Sequence, residues 1–444
     1  MKSLDATLDL LYQLTPFRSV AGNIGQQRDL AQWLERWLVE ETDAEVLYPV
    51  SQQIQDDAPP LVHVCIDIGS PRTLVLYNMY DVMPAEEDGW EVDPFVGGLK
   101  HWSDKGDVFI SRGAENNKGP LAGMLMVVRD LYHSGRLHTN IEILLEGEEE
   151  IGSGNLRRYL ARQPCPVAPA EAVLFPSLCE YGGGAPRIYL GFTGRSGGRL
   201  VVKGGGWGGP KAAIHASNAA WIDNPVWRLV QALSTLAPPH ANGVLETVEL
   251  DEEASSILDD LAREFNLADE LTFRHSEKYA ISGDSFSNLA YLLGSAVLSV
   301  SEIASLPRGA QGVLPPEAFA DLVLRTPPVV DGERLMRRVK EQLASPALAG
   351  AVLEPGDSYP GYRFSIDDAG VLQLMASYHQ QQAKPQIWPW APGCAPAYAF
   401  APLAPAFLIG GLGYGGNAHG VNEFVTLRGL QRYQQSLNDW LLAF

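Results

Sequence analysis

Positive charge is scarce in this chain. Its 444 residues carry 33 Lys and Arg against 53 Asp and Glu, a formal net charge of −20. It therefore lacks the cationic surface that a phosphate backbone requires, and nucleic-acid binding is set aside. Cysteine is sparse as well. Cys65, Cys165, Cys179 and Cys394 are scattered with no CxxC pair, which reads as reduced, packed thiols and points to a cytoplasmic protein. No run of about 18 apolar residues occurs, so no membrane-spanning helix is expected. The N-terminal stretch MKSLDATLDLLYQLTPFRS carries acidic residues and no long apolar segment, unlike a secretory signal. Internal repeats are absent.

What the chain does contain is enough apolar sequence for two domains: 46% of residues are hydrophobic and 19% charged, over a length suited to two units of roughly 100–200 residues. The first third alternates helix and strand. GQQRDLAQWLERWLVEE puts Leu30, Trp33, Leu34, Trp37 and Leu38 on one helical face. The runs 61–69, 73–79 and 140–146 are short, apolar and rich in β-branched residues, as buried strands are. Between the last two lies KGPLAGMLMVVRDLYHSG, a helix with Pro120 in its first turn and Asn117 as its cap. This order predicts an α/β layer with a mostly parallel sheet flanked by helices.

After GRSGGRLVVKGGGWGG the pattern changes. Strand-like RLVVKG and EAFADLVLR accompany the helices NPVWRLVQALSTL and DGERLMRRVKEQLA, which suits a smaller α+β domain of about four strands and two helices. The α/β pattern returns with FLIGGL and a terminal amphipathic helix. The expected organisation is a catalytic α/β domain over 1–189 and 364–444, interrupted by an inserted domain over 190–363. The Pro/Ala-rich stretch KPQIWPWAPGCAPAYAFAPLAPA has enough aromatics to be an ordered loop.

Polar segments sit at the ends of the predicted strands, where open α/β sheets place their sites. They are YNMYDVMP (77–84), SRGAENNKGP (111–120), EGEEEIGS (146–153) and GGLGYGGNAHGVNEF (410–424). A charge run is more often a solvated face, but Glu148–Glu150 abuts an apolar strand and precedes a Gly-Ser turn. In order and wording these segments resemble the zinc amidohydrolase and exopeptidase family of acetylornithine deacetylase, succinyl-diaminopimelate desuccinylase, glutamate carboxypeptidase and carnosinase. The family wording is close to YGHYDVQP, GRGASDDKGP, EGEEEIGS and AHxxNE.

The resemblance implies a two-zinc amidohydrolase with an inserted lid and dimerisation domain, and this chain departs from it at the metal ligands. The family's HxD histidine falls on Met79, its bridging aspartate on Asn116, and its later aspartate on Pro176 or Ser177. A register slip does not explain the loss, because His63, His101, His133 and His138 all lack an Asp two positions on. Only Glu150 and His419 match ligands of the expected type. One metal position should be empty. The other could hold a single weak zinc ion at Glu150 and His419, with Cys179 or Glu180 moving in. The metal-free state is the favoured expectation, so no cofactor is expected.

The proton-handling residues of the family are retained. Glu149 matches the general base, and Asp81 the aspartate that follows the lost histidine by two. His215 resembles the lid histidine that polarises the scissile carbonyl across a dimer, and Arg325 the arginine that holds a substrate carboxylate. A helix-start cap for His215 and a surface ion pair for Arg325 are the competing readings. Asn116 and His419 are expected to bind substrate. Three carboxylates without cations cannot all ionise, so at least one should be protonated near neutral pH. The leading expectation is metal-independent acid–base chemistry (hydrolysis, cyclisation or acyl transfer) on a small acyl-amino-acid or peptide-like compound. The alternatives are a non-catalytic binding protein or pseudoenzyme partner, and a one-metal amidohydrolase or dipeptidase. The resemblance also implies a homodimer, with NPVWRLVQAL as a candidate interface helix, although its apolar positions equally suit that domain's own core. The family's lid asparagine falls on Glu302, a change of sign.

Overall fold

The computed structural model describes residues 4–53, 58–86 and 88–444. The first three residues of the N-terminal stretch read above lie outside them. The chain divides into two compact units, one of Met1–Leu190, Phe364–Trp388 and Ala399–Phe444, the other of Gly191–Arg363 and Pro389–Tyr398. The sequence pattern places 389–398 with the first domain, whereas the structure places it with the second. Its hydrogen bonds hold it there: Ala391 N–H donates to Gly191 O (2.9 Å), Thr193 Oγ1 to Gly393 O (2.9 Å) and Trp390 Nε1 to Leu293 O (3.1 Å).

The first unit is built on a six-stranded sheet of β1 (Glu45–Tyr48), β2 (Val62–Ile66), β3 (Thr73–Met79), β4 (Asn140–Glu146), β5 (Val173–Pro176) and β6 (Phe407–Gly410), in the order β1-β2-β4-β3-β5-β6. Pairs β3/β4, β3/β5 and β5/β6 are parallel, while β1/β2 and β2/β4 are antiparallel. The mostly parallel sheet expected from the sequence is therefore found, with an antiparallel margin. Strand β3 is buried from Leu74 to Met79, as a strand covered by helices on both faces must be. The helices Ile24–Thr42, Lys118–His133 and Leu427–Leu442 bury Leu30, Leu34, Leu38, Met124, Leu125, Leu430, Leu437 and Trp440. Because β3, β4 and β5 run the same way, their C-terminal ends deliver Met79, Glu146 and Pro176 to one edge of the sheet.

The second unit carries a five-stranded sheet rather than four, including the long strands Gly194–Lys203, Ser295–Leu306, Glu317–Thr326 and Ala351–Tyr359. Helices Pro225–Leu236 and Gly332–Leu343 pack Leu229, Ala232, Leu236, Leu335 and Val339 into its core. Helices Glu252–Glu264, Leu267–Phe273 and Ser285–Gly294, not read from the sequence, each begin at an Asp or Asn whose side chain accepts a backbone N–H.

Candidate active site

Strand β3 ends in a buried amide that organises one corner of the site. Asn78 Nδ2 donates to Pro176 O (3.1 Å), and its Oδ1 accepts from Met79 N (2.8 Å) and Asn117 Nδ2 (2.7 Å). Asn117 Oδ1 in turn accepts from Ser177 Oγ (3.2 Å). Asn117 stands at the start of helix Lys118–His133 as expected, but its side chain makes no cap hydrogen bond. The oxygen that would cap, Asn117 Oδ1, accepts from the Ser177 hydroxyl instead. Met79, Asn117, Pro176 and Ser177 thus form one neutral network in which the buried polar atoms find partners.

The neighbouring corner is charged. Asp81 is buried, and its Oδ1 and Oδ2 accept the backbone N–H groups of Glu149 (3.2 Å) and Glu150 (3.1 Å). Burial raises its pKa to about 7, with the Glu150 charge adding and the two N–H groups opposing. Glu149 is pushed well above the ordinary carboxylate range, first by burial and then by Glu150, Asp81 and Glu146. Burial and the three neighbouring carboxylates all act in the direction that favours its neutral form. Glu150 Oε1 accepts from Asn116 Nδ2 (3.0 Å), and Glu150 Oε2 lies 3.1 Å from His419 Nε2. Asn116 Nδ2 also lies 3.1 Å from that nitrogen. The hydrogen bond to Glu150 raises the His419 pKa, against the opposing effect of burial.

Glu423 and Arg112 hold this arrangement in place, and neither was singled out from the sequence. Glu423 accepts from the backbone N–H of Gly113 (3.0 Å), Glu115 (3.0 Å) and Asn116 (2.8 Å), and from Arg112 Nη1 (2.8 Å). Arg112 also donates to Pro84 O (2.8 Å) and His419 O (3.3 Å). Both side chains of the pair are 1% exposed. The result ties the loop bearing Asn116 to the loop bearing His419, whose φ of 64° is left-handed. That conformation persists in a non-glycine residue only where its surroundings fix it. The signal was present in the sequence, in the Arg of SRGAENN and the Glu of AHGVNEF, but nothing in the spacing showed that they meet.

A sequence model of peptidase family M20/M25/M40 matches residues 75–443. The chain belongs to this family. Among curated relatives it is similar to the Cys-Gly metallodipeptidase dug1 of Schizosaccharomyces pombe, at 29% identity over 285 residues, covering 62% of this chain and 57% of that protein. It is also similar to the cysteinylglycine-S-conjugate dipeptidase of Corynebacterium striatum, at 23% identity over 355 residues, covering 78% and 73%. The chain thus spans a little over half the length of the first of these. Among solved structures, the M20 family metallo-carboxypeptidase Sso-CP2 from Sulfolobus solfataricus superposes with a TM-score of 0.82 at 22% identity, covering 98% of both chains. That likeness establishes the fold.

The M20 family implies zinc, and the donors present here do not fit a two-ion centre. Among the described residues, no group of three or more His, Cys, Asp or Glu side chains is arranged to hold a metal ion. One ligand corner offers a thioether, neutral amides and a hydroxyl, none of them an anion or an imidazole. The other offers Glu150, His419 and the Asn116 amide. The recruits considered from the sequence are committed elsewhere. Burial pushes the Cys179 thiol up to about 12. Glu180 is held by Arg432 Nη1 (2.6 Å) and by the Gly413 N–H (2.8 Å).

Asp81, Asn116, Glu149, Glu150 and His419 come together in the first unit. Arg325 and His215 belong to the second. Arg325 Nη1 lies 3.0 Å from Cys394 Sγ, which is itself 3.3 Å from Thr193 Oγ1. His215 Nδ1 accepts the Ser217 N–H (3.2 Å) and starts a short 3-10 turn. Glu302 pairs with Arg308 (2.6 Å). Helix Pro225–Leu236 buries Leu229, Ala232 and Leu236 within its own unit and leaves Trp227 72% exposed. No helix among the described residues is long and apolar enough to cross a membrane.

Proposed function

We propose that the chain is an M20-fold enzyme that performs metal-independent acid–base chemistry on a small acyl-amino-acid or peptide-like compound. The observation that carries this reading is the crowding of Asp81, Glu149 and Glu150, with the His419 imidazole 3.1 Å from Glu150. Glu149 was expected to be the base. Burial and its carboxylate neighbours push its pKa upward, and it is assigned to proton delivery to the leaving nitrogen of an amide. The Glu150 carboxylate, 3.1 Å from His419 Nε2, takes the proton from the attacking group. Positioned proton transfer of this kind contributes roughly 10²–10⁴-fold in rate. Arg325 is assigned to a substrate carboxylate and His215 to the scissile carbonyl. The residues 190–363 are assigned to a lid and dimerisation domain of a cytoplasmic homodimer.

A second reading has its own support: Glu150 Oε2 lies 3.1 Å from His419 Nε2, a carboxylate and an imidazole of the kind that hold one weakly bound zinc ion. The test is turnover of a panel of dipeptides and N-acyl amino acids by full-length protein, dialysed against chelator or supplemented with zinc, beside Glu149→Gln. The proposal expects chelator-insensitive turnover that drops by about 10²-fold or more in Glu149→Gln. Turnover that appears only with zinc favours the one-ion reading. Silence under every condition favours a binding protein.

A further inference from the structure

In a chain of net charge −20, three cations line one opening of the first unit. Lys105 stands at the turn joining strands Gly98–Trp102 and Gly106–Ile110. Arg428 and Arg432 stand on the first two turns of helix Leu427–Leu442. All three face a cleft of about 550 Å³. Asp81, Asn116, Glu149, Glu150 and His419 are not among its lining residues, so it is separate from the candidate active site. Its volume lies within the range of about 300–1,000 Å³ that small-molecule sites occupy.

Two carboxylates share the cleft, and both are engaged. Glu180 has one oxygen on Arg432 (2.6 Å) and the other on the Gly413 N–H (2.8 Å). Asp104 is paired with the adjacent Lys105, whose ammonium also sits over the Trp102 and Phe424 rings at 5.5 and 5.7 Å. Arg428 is exposed, and its charge acts at a distance on Glu180, whose carboxylate is paired with Arg432. The lining therefore carries one positive charge more than it neutralises, borne by a guanidinium in the first turn of a helix, where the backbone dipole adds to it. Gly182 and Gly183, with φ of 65° and 75°, also line the cleft and add no side chain to it. A guanidinium beside a second guanidinium and an ammonium is the donor set that grips an oxyanion through charge-assisted hydrogen bonds.

We infer that this cleft is a binding site for a small molecule bearing a phosphate or carboxylate group, held by Arg428 and Arg432 with Lys105 at its rim. Calorimetric titration of the full chain with inorganic phosphate and, separately, with malonate tests this and distinguishes the two oxyanions. One-to-one saturation by either, weakened by added sodium chloride and reduced roughly tenfold in Arg428→Gln, is the expected result. The anion that saturates at lower concentration names the class. Lys105→Gln, at the exposed turn, should weaken binding in the same direction and guards against a folding defect in a single variant. Absence of saturation by both anions, or saturation unchanged in Arg428→Gln, overturns the assignment.

Discussion

Two corners of the same site solve the problem of buried polarity in opposite ways. Around Asn78 every group is neutral, and the amides of Asn78 and Asn117, the Ser177 hydroxyl and the Pro176 carbonyl complete one another's hydrogen bonds. Around Asp81 the groups are ionisable, and burial pushes them toward their protonated forms: Asp81 is raised to about 7, and Glu149 is pushed well above the ordinary carboxylate range. A neutral network is indifferent to pH. A carboxylate cluster without cations stores protons where chemistry can use them. The first side pairs amides, a hydroxyl and a carbonyl, while the second gathers the carboxylates of Asp81, Glu149 and Glu150.

The contrast can be broken at its hinge. Glu423→Ala should have the largest effect, about 3–5 kcal/mol of unfolding free energy, because it leaves Arg112 buried without its counter-ion. Urea denaturation measures it, and a loss below about 1 kcal/mol would show that the two loops are held by other contacts.

The charged corner makes a pH prediction of definite sign. Asp81 is raised from 3.8 to about 7 in the folded chain. Its protonated form is thus favoured by folding, and the associated stability is complete below about pH 4 and lost as pH rises to about 7. The contribution approaches about 1.4 kcal/mol per pH unit within that window. Asp81→Asn should remove this slope in urea denaturation between pH 4.5 and 7.5, whereas Asn78→Ala should leave it intact. Equal slopes in wild type and Asp81→Asn would mean that Asp81 is ionised throughout.

On the neutral side, Asn78→Ala should cost about 2–3 kcal/mol at every pH, since it strips partners from buried backbone and amide groups. A cost that varies with pH would tie this corner to the titrating one. The smallest effect is expected for His419→Gln. The histidine side chain is 49% exposed, and removing its pairing with Glu150 should cost less than about 1 kcal/mol at pH 7. A much larger loss would show that the Glu150–His419 pair carries structure as well as chemistry.

The fold was legible because its strongest elements are strongly patterned. The strands at 73–79 and 140–146 and the helix beginning at Lys118 fall where their apolar runs place them. The antiparallel direction of β2 was not legible, because an apolar run carries no sign of direction. Helix Glu252–Glu264 was missed despite a good signal, its Asp251 cap and the buried Ile257, Leu258 and Leu261. In the site, Glu149, Glu150, Asp81 and His419 were readable from motif order. The Glu423–Arg112 clamp was not, because it joins residues more than 300 positions apart and periodicity sees only neighbours. The partner that takes the capping oxygen of Asn117 was hidden for the same reason: a cap is a local guess, and the Ser177 hydroxyl reaches it only through the fold.

The most direct test of the central claim is the metal content of the full chain purified without chelator, measured by inductively coupled plasma mass spectrometry. The neutral Asn78 corner and the proton-holding carboxylates predict that zinc and other divalent ions stay near zero per chain. Retention of two zinc ions per chain through purification would contradict the account, because those residues would then be gripping metal rather than protons.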